Sequence, residues 1–213
     1  MRTMWIVPSL VGALVMTAPV VMAQADDKKP ERKMDRKPAE PVKTEGAAPA
    51  MPKPAPELAQ LKWFAGTWRC QGDVPDSPMG PARKSRSTVM IRPDLGGFWY
   101  SGIVREDKAP DHPNPMHGMF HETYDTGKKQ FLLLWVDNYG GWATETSRGW
   151  DGDKRVYEGE GAMGGKMLPV RDTFVKKGEA QMGHKAEMKM DGRWTTLGDE
   201  VCKKAAGAGP ARQ

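Results

Sequence analysis

The feature that most constrains this chain is its punctuation. Asp125-Thr126-Gly127, Asn138-Tyr139-Gly140-Gly141, Asp151-Gly152, Lys177-Gly178 and Asp191-Gly192 recur through its second half. Such sequences make tight turns, because glycine takes the positive φ those turns require. Between them lie runs of roughly eight to ten residues rich in Val, Thr, Phe, Tyr and Trp, the spacing of an all-β sandwich or barrel. The pattern predicts ten strands, at 66–73, 84–92, 97–106, 116–125, 129–138, 141–149, 154–161, 168–177, 180–190 and 193–203. No helical pattern longer than about two turns follows Gly66. Just before it, PELAQLKWF predicts one short helix.

Two of these runs show their faces. In QMGHKAEMKM, Met182, His184, Ala186, Met188 and Met190 share one side, and Gly183, Lys185, Glu187 and Lys189 the other. That period-two alternation predicts an apolar inner face and a charged outer one. KQFLLLWVDN differs, with Phe131, Leu133 and Trp135 on one face and Leu132, Leu134 and Val136 on the other. A strand apolar on both sides needs cover on both, from the short helix or from a partner subunit. Ten antiparallel strands joined by tight turns leave two exposed edges, and closing the sheet into an up-and-down barrel removes them.

The chain has two cysteines, Cys70 in the first predicted strand and Cys202 in the last. A bond between them would make those strands neighbours, as a closed barrel requires. It would also contribute about 5 kcal/mol by restricting a long loop of the unfolded chain. Two buried thiols, or a sandwich that brings the pair together, are the alternatives.

The ends of the chain speak to compartment. Arg2, an apolar run over 4–22 and the small residues Ala23-Gln24-Ala25 have the order of a secretory signal peptide cleaved near residue 25. An uncleaved anchor is the rival, since about 18 apolar residues just span a bilayer. No cysteine follows the run to carry a lipid. Residues 26–56 hold seven prolines, eight Lys/Arg and six Asp/Glu, a composition expected to remain a disordered spacer. The domain expected over 57–204 carries 22 basic and 21 acidic residues, so the +5 of the whole chain comes largely from its ends. With no dense basic patch, nucleic acid is not an expected partner. Residues 205–213 read as a disordered tail.

A short helix running into Gly66-Thr67-Trp68 resembles the Gly-x-Trp opening of the calycin superfamily of lipocalins, fatty-acid-binding proteins and nitrobindins. The remainder resembles a bacterial calycin-like family of unknown function. The matching residues are Leu95-Gly96-Gly97-Phe98-Trp99, Gly118, Tyr124-Asp125, Lys128, Trp135-Val136-Asp137-Asn138, Gly140-Gly141, Gly149, Gly152 and Asp191-Gly192. The resemblance implies a barrel of about ten strands with an interior cavity, an apolar ligand and no catalytic residues. In lipocalins an arginine of the last strand packs over the Gly-x-Trp tryptophan; here Arg193 and Lys203 bound that strand, and neither is an evident match. Nitrobindins hold haem through a barrel histidine, and no motif maps His184 onto that ligand.

Trp99, Trp135 and Trp142 are the candidate cavity walls, joined by His184 and Met188 from the inward face of 180–190. Indoles supply large apolar area, and buried ones seek a partner for their N–H. Trp68 is expected at the barrel base, with residues 61–64 closing that end. HPNPMHGMFH places His117, Met119 and His121 on one side of an extended segment, beside His112 and Met116, a donor set that suits copper. His184 is the candidate haem ligand. Both metal readings compete with ordinary rim and core histidines. Glu122, Asp137 and Glu145 support acid–base chemistry only where paired or desolvated. Nucleophile-elbow, Walker, zinc and dinucleotide motifs are missing from the sequence. The expectation is an exported, periplasmic or secreted, non-enzymatic barrel that binds a small hydrophobic ligand such as a lipid, without a cofactor and without stable membrane insertion after cleavage. A haem or copper protein is one alternative. A homodimer or interaction module using Leu132, Leu134 and Val136 is another.

Overall fold

A computed structural model describes residues 51–78 and 80–206. The expected signal peptide at 1–25, most of the 26–56 spacer and the end of the tail lie outside the described residues. No helix among the described residues is long and apolar enough to cross a membrane.

Among the described residues eleven strands follow one another: β1 (Gly66–Val74), β2 (Arg83–Asp94), β3 (Trp99–Glu106), β4 (His117–Asp125), β5 (Gln130–Asp137), β6 (Trp142–Ser147), β7 (Trp150–Asp151), β8 (Lys154–Met163), β9 (Lys166–Lys176), β10 (Gln181–Met190) and β11 (Arg193–Lys204). Each pairs antiparallel with its neighbour in sequence, except that β6 pairs with β8 and β7 is a two-residue spur on β8. β1 pairs with β11, so ten strands close into an up-and-down barrel. The named turns fall between strands as the sequence predicts, though the turn after Asp125 takes its positive φ at Lys129 and not at Gly127, and Gly164-Gly165 adds a further hairpin between β8 and β9. Asp191 and Gly192, for example, have φ of 48° and 79°, the two positive values of a tight hairpin turn.

The seam between first and last strand sets Cys70 opposite Cys202, and the two form a disulfide. In β11 the register slips between Ala186 and Glu187 of the partner strand, leaving Leu197 as the extra residue of a bulge. The short helix is a 310 helix, Pro56–Trp63, with Pro56 at its first position where a missing N–H costs nothing. It buries Leu58 and Leu61 against the end of the barrel. It therefore covers an end and leaves the outer face of β5 as it is, with Val136 half exposed.

Close packing inside the wall depends on glycine. A Cβ at Gly118 would lie 2.1 Å from the Trp135 indole, and one at Gly102 would lie 2.1 Å from the Phe120 ring. Both glycines are inward positions emptied to seat a neighbouring ring.

Candidate functional site

One end of the barrel is sealed. Trp68 is fully buried, and its indole N–H donates to the Phe64 carbonyl at 2.7 Å. Trp63, Phe64 and Trp150 pack edge-on and stacked around it, with ring centroids 5.2–5.5 Å apart. The cation over Trp68 comes from Lys204, whose ammonium sits 5.0 Å from the ring centroid and donates to the Trp63 carbonyl at 3.0 Å. The partner sought at Arg193 or Lys203 is thus the last residue of β11, placed opposite Trp68 by the β1–β11 register.

Above this seal lies Arg155, which has no exposed surface. Its guanidinium is 3.9 Å from the Phe131 ring centroid and donates to Glu122 at 2.7 Å. The Tyr157 hydroxyl donates to the same carboxylate oxygen. Burial pushes the Glu122 carboxyl up to about 7, against the pull of Arg155 and of the Tyr157 hydrogen bond.

From Glu122 to the opposite end the barrel is hollow. The cavity holds about 870 Å³, with apolar wall from Val89, Leu133, Trp135, Val170, Met182 and Met188. It reaches the loops after β1, β3, β5 and β8, so its mouth is the end away from the 310 helix. At the mouth Glu106 is held by Arg83, by His112 Nε2 at 3.2 Å and by the Met116 N–H at 3.0 Å. Burial opposes ionisation there, but these partners prevail and keep its carboxyl below the usual range.

Midway up the wall four ionisable side chains from adjoining parts of the barrel meet. His184 on β10 contacts Asp172 of β9 through Nε2 at 2.7 Å and Glu200 of β11 through Nδ1 at 3.0 Å. Its ring stacks on Phe174, centroids 4.5 Å apart. Burial disfavours the imidazolium, yet the two hydrogen-bonded carboxylates outweigh it and push His184 up to about 10. Glu145 of β6, only 2 % exposed, faces Asp172 across the same space. Burial first, and then repulsion by Asp172, push its carboxyl up to about 9. Its Oε2 atom has no hydrogen-bond partner.

Against this geometry the sequence-derived candidates separate. Trp135, His184 and Met188 line the cavity; Trp142 borders its rim but pairs with Val136 and alternates with the inward Ala143 and Glu145, so its indole lies on the outer side of the sheet, 46 % exposed. The Trp135 indole donates to Asp137 at 3.0 Å, the partner its burial calls for. Trp99 is not among the lining residues. Strand alternation gives that place to Tyr100, because β3 starts after the Leu95–Gly97 turn with Trp99 pointing the other way. His117 and His121 share a face with Met119, as their spacing predicts, but it is the outer face, opposite Gly118, Phe120 and Glu122. His117 is exposed, and His121 Nδ1 is hydrogen-bonded to the Ser101 hydroxyl at 2.8 Å. Neither belongs to a cluster of ligating groups among the described residues; the one such cluster is Cys70, Glu200 and Cys202, whose sulfurs are bonded to each other. Haem does not fit His184, since both ring nitrogens are engaged by carboxylates and no lone pair is left for iron.

A family model described as "Protein of unknown function (DUF1579)" matches residues 53–203, and the chain belongs to that family. Among solved structures, the chain is similar to the one titled "Crystal Structure of Rv2717c from M. tuberculosis", with a TM-score of 0.57. That likeness runs at 15 % identity over 72 % of this chain and 99 % of the other, and it speaks for the barrel fold alone. A comparison with curated proteins finds no match.

Proposed function

We propose that this member of the DUF1579 family is an exported, non-enzymatic carrier or sensor that takes a small, largely apolar molecule into its barrel. The observation that carries the reading is the interior cavity of about 870 Å³, open at one end and walled mainly by Val, Leu, Met and Trp side chains. Ligand sites of roughly 300–1,000 Å³ are concave, mostly apolar and furnished with a few convergent polar groups. A ligand would enter at the mouth beside Glu106 and stop above Glu122, with the Trp68 seal beneath. Burial of its apolar surface would supply most of the affinity, at about 25 cal/mol per Å² before ordering costs. The disulfide and the N-terminal apolar run support export to an oxidising compartment.

Native mass spectrometry of the protein from its own host is the test. A co-purifying mass that leaves on denaturation is the expected result. An empty barrel that also fails to take up small hydrophobic probes would overturn the reading. For export, the amino terminus of the mature protein is expected at residue 24 or 26, read by terminal sequencing.

A second reading, self-association, rests on one row of side chains. Met90, Ile103, Met119 and Val136 lie opposite one another across β2 to β5 on the outer face. Met90, Met119 and Val136 are each more than 40 % exposed. Sedimentation at high concentration would show a dimer if that row is an interface, and a monomer throughout would dismiss it.

A further inference from the structure

The cavity wall is acidic in a way the chain as a whole is not. Eight carboxylate residues line it, against one arginine, two histidines and no lysine. Three of these acids have an arginine or lysine partner. Glu106 has Arg83, Glu122 has Arg155, and Glu187 has Arg171 at 2.8 Å and Lys185 at 2.8 Å. The midway cluster does not balance. Among the described residues His184 is the one cation paired with Asp172 and Glu200, and no ion pair reaches Glu145 beside them. Three carboxylates thus share a single imidazolium, and the deficit falls on a carboxyl whose Oε2 is buried at the cavity wall without a partner.

Buried polar atoms are ordinarily satisfied, and an exception in a cavity marks where a ligand group belongs. A group that donates hydrogen bonds would satisfy the ionised carboxylate, and charge balance asks that it be positive. We propose that the cavity selects a cationic amphiphile, an alkyl chain ending in a primary ammonium group, which docks on Glu145 and Asp172 while the chain lies along Met182, Met188 and Val170. This rests on the ligand-binding reading above and names its substrate class.

Chemistry argues for an amine over the other apolar ligands of this size. An ammonium group carries three donors and no acceptor, which suits carboxylates that have acceptors to spare. Its charge-assisted hydrogen bonds in a cavity of low dielectric are stronger than those of a neutral hydroxyl. A fatty acid would bring a further negative charge to a cluster already short of positive charge, and burying like charges together is costly. In the empty state a proton on Glu145 relieves the excess, and an incoming ammonium takes over that role.

The experiment compares octylamine, octanol and octanoate at pH 7, each titrated into the purified protein by calorimetry, with quenching of tryptophan fluorescence as a second readout. Octylamine is expected to bind at least about tenfold tighter than octanol, and octanoate weakest, a tenfold step being the size of one good charged contact. In Glu145→Gln the preference for octylamine over octanol is expected to shrink to about threefold or less, the buried charge being gone. Octanol or octanoate binding as tightly as octylamine would overturn the amine proposal and leave the cavity reading standing. No uptake of any of the three at millimolar concentration would overturn both. The wild-type comparison decides the matter even if the variant does not fold.

Discussion

The two ends of this barrel bury charge in opposite ways. At the closed end Arg155, Glu122 and Tyr157 form a set in which each acceptor faces a donor, with the guanidinium laid over the Phe131 and Tyr157 rings. In the hollow half, His184 serves two carboxylates, and Glu145 stands beside them, its carboxyl pushed up by burial and by Asp172. The first arrangement balances one guanidinium against one carboxylate, with Arg155 Nε and Nη1 left to the aromatic rings around them, and it holds the 310 helix, β4 and β8 in one packed end. The second is incomplete, and it borders empty space. Matched buried charge can hold elements together; buried charge left over beside a cavity is a candidate recognition site.

The comparison can be attacked first at the seam both ends share. Replacing Cys70 and Cys202 by alanine frees a loop with a sequence separation of 132. The expected loss is about 5 kcal/mol, read as a lower midpoint in urea unfolding, since the bond acts by restricting the unfolded chain. An unchanged midpoint would mean that hydrogen bonding between β1 and β11 holds the barrel shut unaided.

The next effect separates the ends. Arg155→Ala leaves Glu122 buried without its cation and empties the space between the Phe131 and Tyr157 rings, and should cost about 3–5 kcal/mol. Glu145→Gln should instead stabilise the protein at pH 7, by up to about 3 kcal/mol, because the folded wild type must hold on Glu145 a proton that the unfolded chain has released. Equal losses in the two variants would erase the distinction drawn here.

pH sharpens the same contrast. Glu145 has a folded-state value of about 9 against an ordinary 4.5. Between those values the folded protein keeps a proton that the unfolded chain has released, so stability falls as pH rises. The slope is at most about 1.4 kcal/mol per pH unit for one such group. His184, at about 10, adds a fall of the same sign above 6.5, and Glu122 adds one from 4.5 to about 7. The groups facing Glu145 are Asp172 of β9 and His184 of β10, with Glu200 of β11 behind the imidazole. Unfolding midpoints from pH 5 to 9 should decline in the wild type and decline less in Glu145→Gln. Parallel curves would show that Glu145 is ionised at neutral pH after all.

How much of this the sequence carried depends on the range of each interaction. Turn chemistry and two-residue alternation are local, so the strands, the hairpins and the facing of QMGHKAEMKM can be read directly. The barrel followed from one long-range clue, the cysteines in the first and last strands. Trp99 was misplaced because LGGFWY offers aromatics in both phases, and only the turn at Leu95–Gly97 decides that Tyr100 faces in. Arg155 follows a lysine in KRVYEGE and reads as surface, though its two-residue offset from Tyr157 was a usable signal. Lys204 stood one position beyond the predicted strand. Glu122 and Glu145 were visible as candidates, but their partners lie on other strands, and no local pattern says which carboxyl will find a cation.

The smallest expected effect is the control on the outside of the wall. His121 and Glu122 are neighbours in β4 and point to opposite sides, one to Ser101 on the outer face and one to Arg155 within. His117 and Met119 extend that outer face, exposed to solvent. The double variant His117→Ala, His121→Ala removes one side chain with no buried contact and one hydrogen bond to a hydroxyl. Surface changes of this kind stay within about 0.5 kcal/mol. Octylamine binding should be unaltered as well, because the histidines and the cavity are on opposite sides of the sheet. Copper titrated into both proteins should distinguish them little. A stoichiometric copper site in the wild type that disappears in the variant would restore the metal reading and make the outer face of β4, not the hollow of the barrel, the place where this protein acts.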